Sequence, residues 1–313
     1  MNSFGKTAML LSIILTAQLV FAQYQIGLVP RVSPDREVYQ KIGFTEIRIT
    51  YGSPAVQGRN IWGELEDYDQ VWRAGANNAT TIEFSTDVAI EGQPLPKGKY
   101  AFFIIPRKNQ KWTAIFSKDA KQWGAFSYQE EDDALRVNIE PVTIIDHQEK
   151  LTYGIESSGF NNGNFYLSWE KIQLKLNIET DYLSQFIDAV EAKGLEVKEN
   201  IRWVVYLQGA AHLLEIGERL DQALQWVEKS KTGAQSNGEW NKQYYPKEYI
   251  IGHLKWTEAQ LYAQRKELDK ANQLLREVKQ SIFYDYQQEA VDDTTKHWTM
   301  PAKDNTGTNG GKL

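Results

Sequence analysis

The densest set of side chains that could do chemistry lies between residues 51 and 81. Two arginines, two tryptophans and several amides and hydroxyls fall in this stretch. A guanidinium can fork onto a carboxylate or sugar hydroxyls, an indole offers a flat apolar wall, and amides orient a polar ligand. The composition predicts a concave site for a small polar ligand or a glycan. Its candidate ligand-binding residues are Tyr51, Arg59, Trp72, Arg73, Asn77, Asn78 and Thr80.

The same stretch also has a structural interpretation. It would be a long connection that crosses one end of a β-sandwich, with Trp72 filling the core and Arg73 donating to loop carbonyl groups. Long connections pack by their own side chains, but they are also where binding sites concentrate. We favour the structural interpretation and keep both open.

Carboxylates in this stretch suggest an alternative function. Glu64, Glu66, Asp67 and Asp69 lie close together in the sequence. Glycoside hydrolysis uses two carboxyl groups about 5–10 Å apart. A hydrolase acting on envelope glycans or peptides, with acids such as Glu64 or Glu66, is therefore the alternative. Acidic residues in surface loops commonly have no such role, and we assign no catalytic residue.

Several other chemistries are excluded by composition and spacing. The 313 residues contain no cysteine, which excludes disulfides, thiolate metal sites, a cysteine nucleophile and a lipid-anchor cysteine. No histidine pair has metal-ligand spacing, no serine lies in a G-x-S-x-G elbow, and no Gly-rich phosphate loop follows a strand. We therefore predict neither a metal nor a cofactor. The net charge of −6 argues against nucleic acid as a partner.

Residues 1–22 are predicted to be a secretory signal peptide. Lys6 supplies the positive charge, an apolar stretch runs from Ala8 to Leu19, and Val20-Phe21-Ala22 fits cleavage after Ala22. The apolar stretch is shorter than the ~20 residues that span a bilayer. We predict an exported protein, periplasmic or secreted, that is soluble after cleavage and not an integral membrane protein.

Two periodicities divide the remaining chain. From about residue 36 to 178, apolar residues alternate with polar ones, and turn signals separate eight to ten short segments. This pattern is typical of an antiparallel sandwich or barrel. Continuous apolar runs from Tyr100 to Ile105 and from Trp112 to Phe116 suit central strands. After Ile178 the period becomes helical, so the predicted fold class is α+β: a β-sandwich or barrel-like domain followed by helical hairpins.

The domain boundaries follow from these patterns. We predict a signal peptide at 1–22, a β-rich domain at 32–178, a helical region at 180–290 and a disordered tail at 299–313. The predicted helices run to Lys193 with Gly194 as a stop, from Val197 to Ile216, from Leu220 to Lys229, from Pro246 to Lys266 and from Leu268 to Tyr286. A loop from Lys231 to Tyr245 separates the third from the fourth.

A weak repeat runs through the helical half. Ala211 and Ala223 are 12 residues apart, and so are Ala259 and Ala271, each pair on either side of an inter-helix turn. Small residues at this spacing let two helices approach closely, as in tetratricopeptide units. Generic helical hairpins with alanine at contact points are the other interpretation, and both stay open. Either kind of hairpin offers a groove where a protein partner could dock.

The β-rich half resembles a bacterial family. The string GRNIWGELEDYDQVWRAGANNATTIEFSTDVAIEGQPLPKGKYAFFIIP, the later Trp123-Gly124 and the closing Leu167-Ser168-Trp169-Glu170 are similar to domain of unknown function 2911. The resemblance covers about residues 32–178, and the Val-Trp-Arg-x-Gly-Ala-Asn core is its most specific part. It implies an exported β-rich domain, often continued by tetratricopeptide-like helices, with no established activity. The family usually has Glu where this chain has Asn78, which lowers the enzymatic interpretation further.

These observations converge on one leading hypothesis. The chain is expected to be a non-catalytic ligand-binding or scaffold protein of the cell envelope. Its β domain would hold a small polar ligand or glycan, and its helical half would contact a protein.

Overall fold

The computed structural model describes residues 30–236 and 246–298. These residues form two compact units that meet between Tyr182 and Leu183, named here the β domain and the helical region. Strands make up the first and helices the second, so the predicted α+β fold class is confirmed. The predicted signal peptide, the tail at 299–313 and positions 237–245 of the predicted loop lie outside the described residues.

Ten antiparallel strands form the β domain. They are β1 (Asp35–Ile42), β2 (Thr45–Gly52), β3 (Ala76–Phe84), β4 (Val88–Ile90), β5 (Gln93–Leu95), β6 (Gly98–Ile105), β7 (Trp112–Ser117), β8 (Asp133–Ile139), β9 (Val142–Ser157) and β10 (Asn162–Thr180). One sheet has six strands in the order β1-β2-β3-β6-β7-β8, and the other has four in the order β5-β4-β10-β9. The two inner faces share one core, so the domain is a β-sandwich.

The alternating pattern places every second side chain in this core. Ile47 and Ile49 of β2 are fully buried, as is Ile82 on the neighbouring strand. The central strands β6 and β7 are buried on both faces, as their continuous apolar runs predict. Their outer faces are covered by the segment after β7, where Ala125 and Tyr128 pack on a second apolar cluster.

Six helices make up the described part of the helical region. They are α1 (Tyr182–Glu196), α2 (Glu199–Ile216), α3 (Leu220–Ser236), α4 (Lys247–Gln264), α5 (Leu268–Val278) and α6 (Ile282–Thr295). Helices α2 and α3 form one hairpin, and α4 and α5 form another. Within the described ranges, no helix combines the length and apolar character that crossing a bilayer requires.

Three predicted helix boundaries are wrong. Gly194 lies inside α1 instead of ending it, because a Cβ there would come within 2.8 Å of the Tyr206 hydroxyl. Helix α3 continues past Lys229 to Ser236. The last predicted helix is two helices with a break after Val278, where the Ser281 hydroxyl donates to the Val278 carbonyl instead of continuing the ladder.

The predicted alanine repeat is correct at three of its four positions. Ala223, Ala259 and Ala271 are fully buried where neighbouring helices meet. Ala211 is exposed, and the preceding Ala210 is buried in its place. The contact in the first hairpin is therefore shifted by one residue, which breaks the equal spacing that a strict repeat would show.

Candidate functional site

The connection from β2 to β3 crosses one end of the sandwich and is fixed to it by backbone hydrogen bonds. The amide of Trp72 donates to the Ile104 carbonyl and the amide of Ile104 donates back to Trp72, both at 2.8 Å. Positive φ angles recur along this part of the chain, at Gln57, Asp69, Ala74 and Asn77. A positive φ at a non-glycine residue costs about 1–3 kcal/mol of folding free energy, and such residues are found most often at functional sites.

Two tryptophans of this connection meet two from the sheets and form the tryptophan cluster, Trp62, Trp72, Trp112 and Trp169. The ring of Trp62 lies 4.7–5.8 Å from the other three, and Trp72 stacks on Trp169 at 5.8 Å. Trp72 is 3% exposed and Trp169 is fully buried. Trp72 therefore packs in the core, as the structural interpretation of this stretch expects.

The indole N–H groups of the cluster differ in whether they have a hydrogen-bond acceptor. Trp112 donates to the Arg107 carbonyl at 2.8 Å. The N–H groups of Trp62, Trp72 and Trp169 are buried and make no hydrogen bond within the described part of the chain. A buried donor without a partner costs about 1–3 kcal/mol, and native proteins rarely leave several together.

A tight turn brings Glu66 to the edge of the cluster. The Glu66 amide donates to the Ile61 carbonyl, and the Gly63 amide donates to the Glu66 carbonyl, both at 2.9 Å. Gly63 has a φ of 88°, and a Cβ there would lie 2.6 Å from the Tyr68 ring. Only glycine fits this conformation and this contact without rearrangement. The turn fixes Glu66 beside Trp62, with which it forms a parallel bridge.

Burial raises the pKa of the Glu66 carboxyl to about 7, outweighing the opposing effect of the guanidinium groups of Arg73 and Arg59. Asp67 raises this pKa further, and the Trp72 indole lowers it. The Trp72 N–H is thus close enough to favour the charged carboxylate, although it does not reach normal hydrogen-bond geometry.

The two candidate arginines behave differently. Arg59 is exposed, and its guanidinium donates to the carbonyl groups of Ala55 and Val56. Arg73 is half-buried, and its Nε has no hydrogen-bond partner among the described residues. The structural interpretation gives Arg73 the loop carbonyls, but Arg59 is the arginine that binds them. Arg59, Arg73 and Trp72 are the groups that act on the Glu66 carboxyl, and this set together with Trp62, which forms a bridge with Glu66, is named the Glu66 site.

The other four candidate residues lie elsewhere. Tyr51 and Thr80 are buried, with Tyr51 packed on the Tyr153 ring at 4.7 Å and the Thr80 hydroxyl donating to the Ala74 carbonyl at 3.0 Å. Asn77 has a φ of 64°, and its side-chain amide donates to the Ser33 carbonyl at 2.9 Å.

Asn78 is exposed and lines a cavity of about 680 Å³ on the outer face of the six-stranded sheet, named the outer groove. Its lining residues are Asp35, Thr50, Tyr51, Gly52, Asn78, Ala79, Thr81, Lys99, Ala120, Lys121, Gln122 and Trp123. The Ala79 amide donates to the Gln122 carbonyl at 3.0 Å, which fixes the segment after β7 against β3. Trp123 is 50% exposed, and the Arg31 guanidinium lies 5.7 Å from its ring.

A second cavity, of about 750 Å³, lies between α2 and α3 and is named the helical groove. It is lined by Glu199, Arg202, Trp203, Tyr206, Gln225, Glu228, Lys229, Thr232 and Gly233. The Nε of Arg202 is buried and has no hydrogen-bond partner among the described residues. This cavity thus combines aromatic walls with a guanidinium group that can donate hydrogen bonds to an anionic partner.

The described residues contain no ready set of metal ligands. No group of three or more His, Asp and Glu side chains in residues 30–236 and 246–298 could hold an ion. His253, for example, stacks on Phe283 at 5.3 Å, and burial lowers its pKa.

Sequence reasoning missed Trp123 as a site residue and saw Glu66 only as one of several loop acids. An aromatic residue followed by a glycine between two strands was the available signal for Trp123, since Gly124 has a φ of 67°. Nothing in the spacing of Glu66 distinguishes it from Glu64, which is exposed and accepts a hydrogen bond from Asn60 at 2.8 Å.

Comparison with known proteins agrees with this division of the chain. No curated protein and no solved structure matches it. A family model described as protein of unknown function (DUF2911) matches residues 33–178. The match includes the Glu66 site and the residues that line the outer groove, and it stops before the helices, so the similarity to this family lies in the β domain.

Proposed function

We propose that the β domain binds a glycan in the outer groove. The observation that carries this proposal is the half-exposed indole of Trp123 beside the side chains of Asn78, Thr50 and Thr81. An indole face stacks against the apolar face of a sugar ring, while amides and hydroxyls exchange hydrogen bonds with its hydroxyl groups. A shallow cavity of this composition suits an extended polar ligand better than an apolar one.

The charges of the groove narrow the ligand class. Lys99 and Lys121 line it and Arg31 lies over Trp123, against the single carboxylate of Asp35. The excess of cations favours a glycan that carries carboxylate groups. We favour binding over hydrolysis because Glu64, one of the acids that hydrolysis would need, is exposed and held by Asn60.

The test is a calorimetric titration with soluble strands of alternating N-acetylglucosamine and N-acetylmuramic acid, an acidic envelope glycan. We expect saturable binding that weakens about tenfold in Trp123→Ala, which corresponds to ~1.4 kcal/mol. Phe126→Ala is the matched control, because Phe126 is 89% exposed and lies three residues away without lining the groove. Equal loss in both variants, or unchanged binding by Trp123→Ala, would contradict the proposal.

We further propose that the protein acts outside the cytoplasm, in the periplasm or after release. The support is the pattern of residues 1–22, with its charged start, apolar stretch and small-residue cleavage site. Expressed in a bacterial host, the chain should be recovered from the periplasm or medium with Gln23 at its N-terminus. Intact mass and N-terminal sequencing check this, and a full-length cytoplasmic product would disprove it.

The helical groove supports a second candidate function, the docking of a protein partner on tetratricopeptide-like hairpins. Trp203 and Tyr206 offer an apolar wall, and Arg202 has a donor without a partner in the described chain. This combination suits an extended peptide that places an apolar side chain on Trp203 and a carboxylate on Arg202.

A panel of fluorescent peptides with and without an acidic residue next to an apolar one tests this interaction. Arg202→Gln should abolish the preference for the acidic peptides and leave the binding of neutral ones intact. An unchanged preference would disprove the role of Arg202. Arg219→Gln, on the exposed turn between α2 and α3, is the matched control.

A further inference from the structure

The Glu66 site gathers hydrogen-bond donors that the protein itself does not use. The indole N–H of Trp72, on a side chain only 3% exposed, and the Nε of Arg73 have no partner among the described residues. The N–H groups of Trp62 and Trp169 likewise have no partner among the described residues, and their rings lie 5.6 and 5.8 Å from the Trp72 ring. The fold can satisfy such a donor, as the bond from Trp112 to the Arg107 carbonyl shows.

The charge balance at this point depends on the proton of Glu66, because two guanidinium groups act there together with the carboxyl groups of Glu66 and Asp67. Arg59 and Arg73 both act on the Glu66 carboxyl, but neither forms an ion pair with it among the described residues. When Glu66 is protonated, Asp67 alone opposes the two guanidinium charges, so a group that uses the free donors there should be an acceptor with negative charge. Carboxylates and tetrahedral oxyanions have this chemistry.

We propose that Arg73, Arg59 and the Trp72 indole bind an oxyanion, and that Glu66 controls this binding through its proton. When Glu66 is ionised, its negative charge compensates the positive charge of the arginines and repels an anion. When Glu66 is protonated, it no longer compensates the positive charge of the two arginines, and its O–H becomes one more donor toward the ligand. Binding of the anion therefore takes up a proton. This site is separate from the outer groove, and its test does not depend on glycan binding.

The groups that face Glu66 set the direction of the pH dependence. Burial and Asp67 favour the protonated carboxyl, whereas Arg73, Arg59 and Trp72 favour the ionised one, and the resulting pKa is about 7. An anion that binds only to the protonated form should bind about tenfold more weakly at pH 8 than at pH 6. At pH 7 its binding should take up about half a proton from solution.

Sulfate and acetate are suitable probes, because the charge of neither changes between pH 6 and 8. Calorimetric titration of the full chain at constant ionic strength gives their affinities, and repeating it in buffers of different ionisation enthalpy gives the proton uptake. Stronger binding of acetate would identify the ligand class as a carboxylate, and stronger binding of sulfate would identify a tetrahedral oxyanion; either result supports the site.

Two variants separate Glu66 from its surroundings. Glu66→Gln should bind the probe with the affinity that the wild type shows at pH 6, and this affinity should not change up to pH 8. Glu64→Gln, two residues away on an exposed side chain, should keep the tenfold pH dependence. Arg73→Lys, which keeps the charge but loses Nε, should weaken binding while keeping the pH dependence.

Three results would overturn the proposal. The first is the absence of saturable binding of either probe at pH 6, which would show that the unpaired N–H groups do not bind an anion. The second is binding without proton uptake by the wild type, a measurement that needs no variant. The third is a Glu66→Gln protein that is folded by circular dichroism and still shows the wild-type pH dependence.

Discussion

Two glutamates in this protein approach a buried tryptophan, and they end with opposite acidities. In the helical region, Glu191 accepts hydrogen bonds from the Trp226 indole at 2.7 Å and from the Lys229 ammonium at 2.7 and 2.9 Å. Burial would raise the pKa of Glu191, but these bonds lower it below the ordinary value. In the β domain, the Glu66 carboxyl accepts no side-chain hydrogen bond of normal geometry from the described residues, and burial raises its pKa to about 7.

The difference shows what each carboxylate does. Glu191 joins three helices, because Trp226 belongs to α3 and the Tyr206 hydroxyl of α2 also donates to it, at 3.3 Å. Its bonds are fully used in the folded state, as in a structural network. Glu66 lies near donors that favour its charge without forming a hydrogen bond of normal geometry, so burial outweighs them and disfavours the ionised carboxylate. Strongly shifted pKa values gather at functional sites, which agrees with the proposed anion site at Glu66.

The largest predicted effect tests the cost of the Glu66 charge. A carboxyl whose pKa rises on folding stabilises the protein below its unfolded pKa, near 4.5, and this contribution is lost as the pH rises through about 7. The difference between these two pKa values corresponds to at most about 3 kcal/mol of unfolding free energy. Glu66→Gln, which cannot ionise, should therefore match the wild type near pH 4.5 and exceed its stability by up to ~3 kcal/mol at pH 8.

Urea titration with pulsed hydrogen exchange, detected on peptides from β6 and β7, measures the stability of the β domain separately. Glu64→Gln should leave the curve unchanged within ~0.5 kcal/mol, since its side chain is exposed. A Glu66→Gln protein less stable than the wild type at pH 8 would show that the ionised carboxylate is bonded after all, and the contrast with Glu191 would disappear.

The second prediction compares the two indoles directly. Trp226→Phe and Trp72→Phe remove similar volume from buried sites, but only the first removes a hydrogen bond to a charged group. Such bonds are worth about 1.5–3 kcal/mol. At pH 7, Trp226→Phe should therefore destabilise its region by ~1–2 kcal/mol more than Trp72→Phe destabilises its own.

Exchange of peptides from α2 and α3, compared with peptides from β6 and β7, gives the two free energies in one experiment. Equal losses would indicate that the Trp72 N–H contributes as much to stability as the Trp226 N–H. In that case its apparent lack of a partner would not mark a ligand site.

The architecture could be predicted from the sequence because its cause is local. Alternation along β2 reflects one buried face, and the unbroken apolar runs of β6 and β7 reflect burial on both faces. Helix ends were predicted less well. Gly194 looks like a stop in sequence, but its role depends on the Tyr206 hydroxyl of the next helix. A contact between separate elements leaves no periodic signal.

The candidate site divides in the same way. The residues of the Glu66 site lie in one connection of the sequence, and Arg59, Trp72 and Arg73 were predicted as site residues there. The tryptophan cluster beside it also needs Trp169 from β10, and the approach of Trp169 to Trp72 depends on how the two sheets pack. The acidity of Glu66 could not be predicted, because burial of a turn is a property of the folded domain.

The smallest predicted effect tests whether charge or packing holds the Glu191 network. Lys229 lies 2.7 Å from Glu191 and also 4.7 Å from the Tyr206 ring. Both members of the ion pair are more than a third exposed, so Lys229→Gln should cost only ~0.5 kcal/mol at pH 7. A carboxyl with a lowered pKa stabilises the folded state above its unfolded pKa, and this contribution is lost in acid. The cost of Lys229→Gln should therefore vanish once Glu191 is protonated.

The matched control is Lys193→Gln, which removes an exposed ion pair with Glu196 on the same helix as Glu191 and should have no measurable effect. Exchange of α1 and α3 peptides at pH 7 and in acid measures both variants. If the cost of Lys229→Gln persists unchanged in acid, Lys229 stabilises the hairpin by its contact with the Tyr206 ring. Glu191 would then be bound by Trp226 and Tyr206 alone, and the comparison with Glu66 would rest on a single indole hydrogen bond.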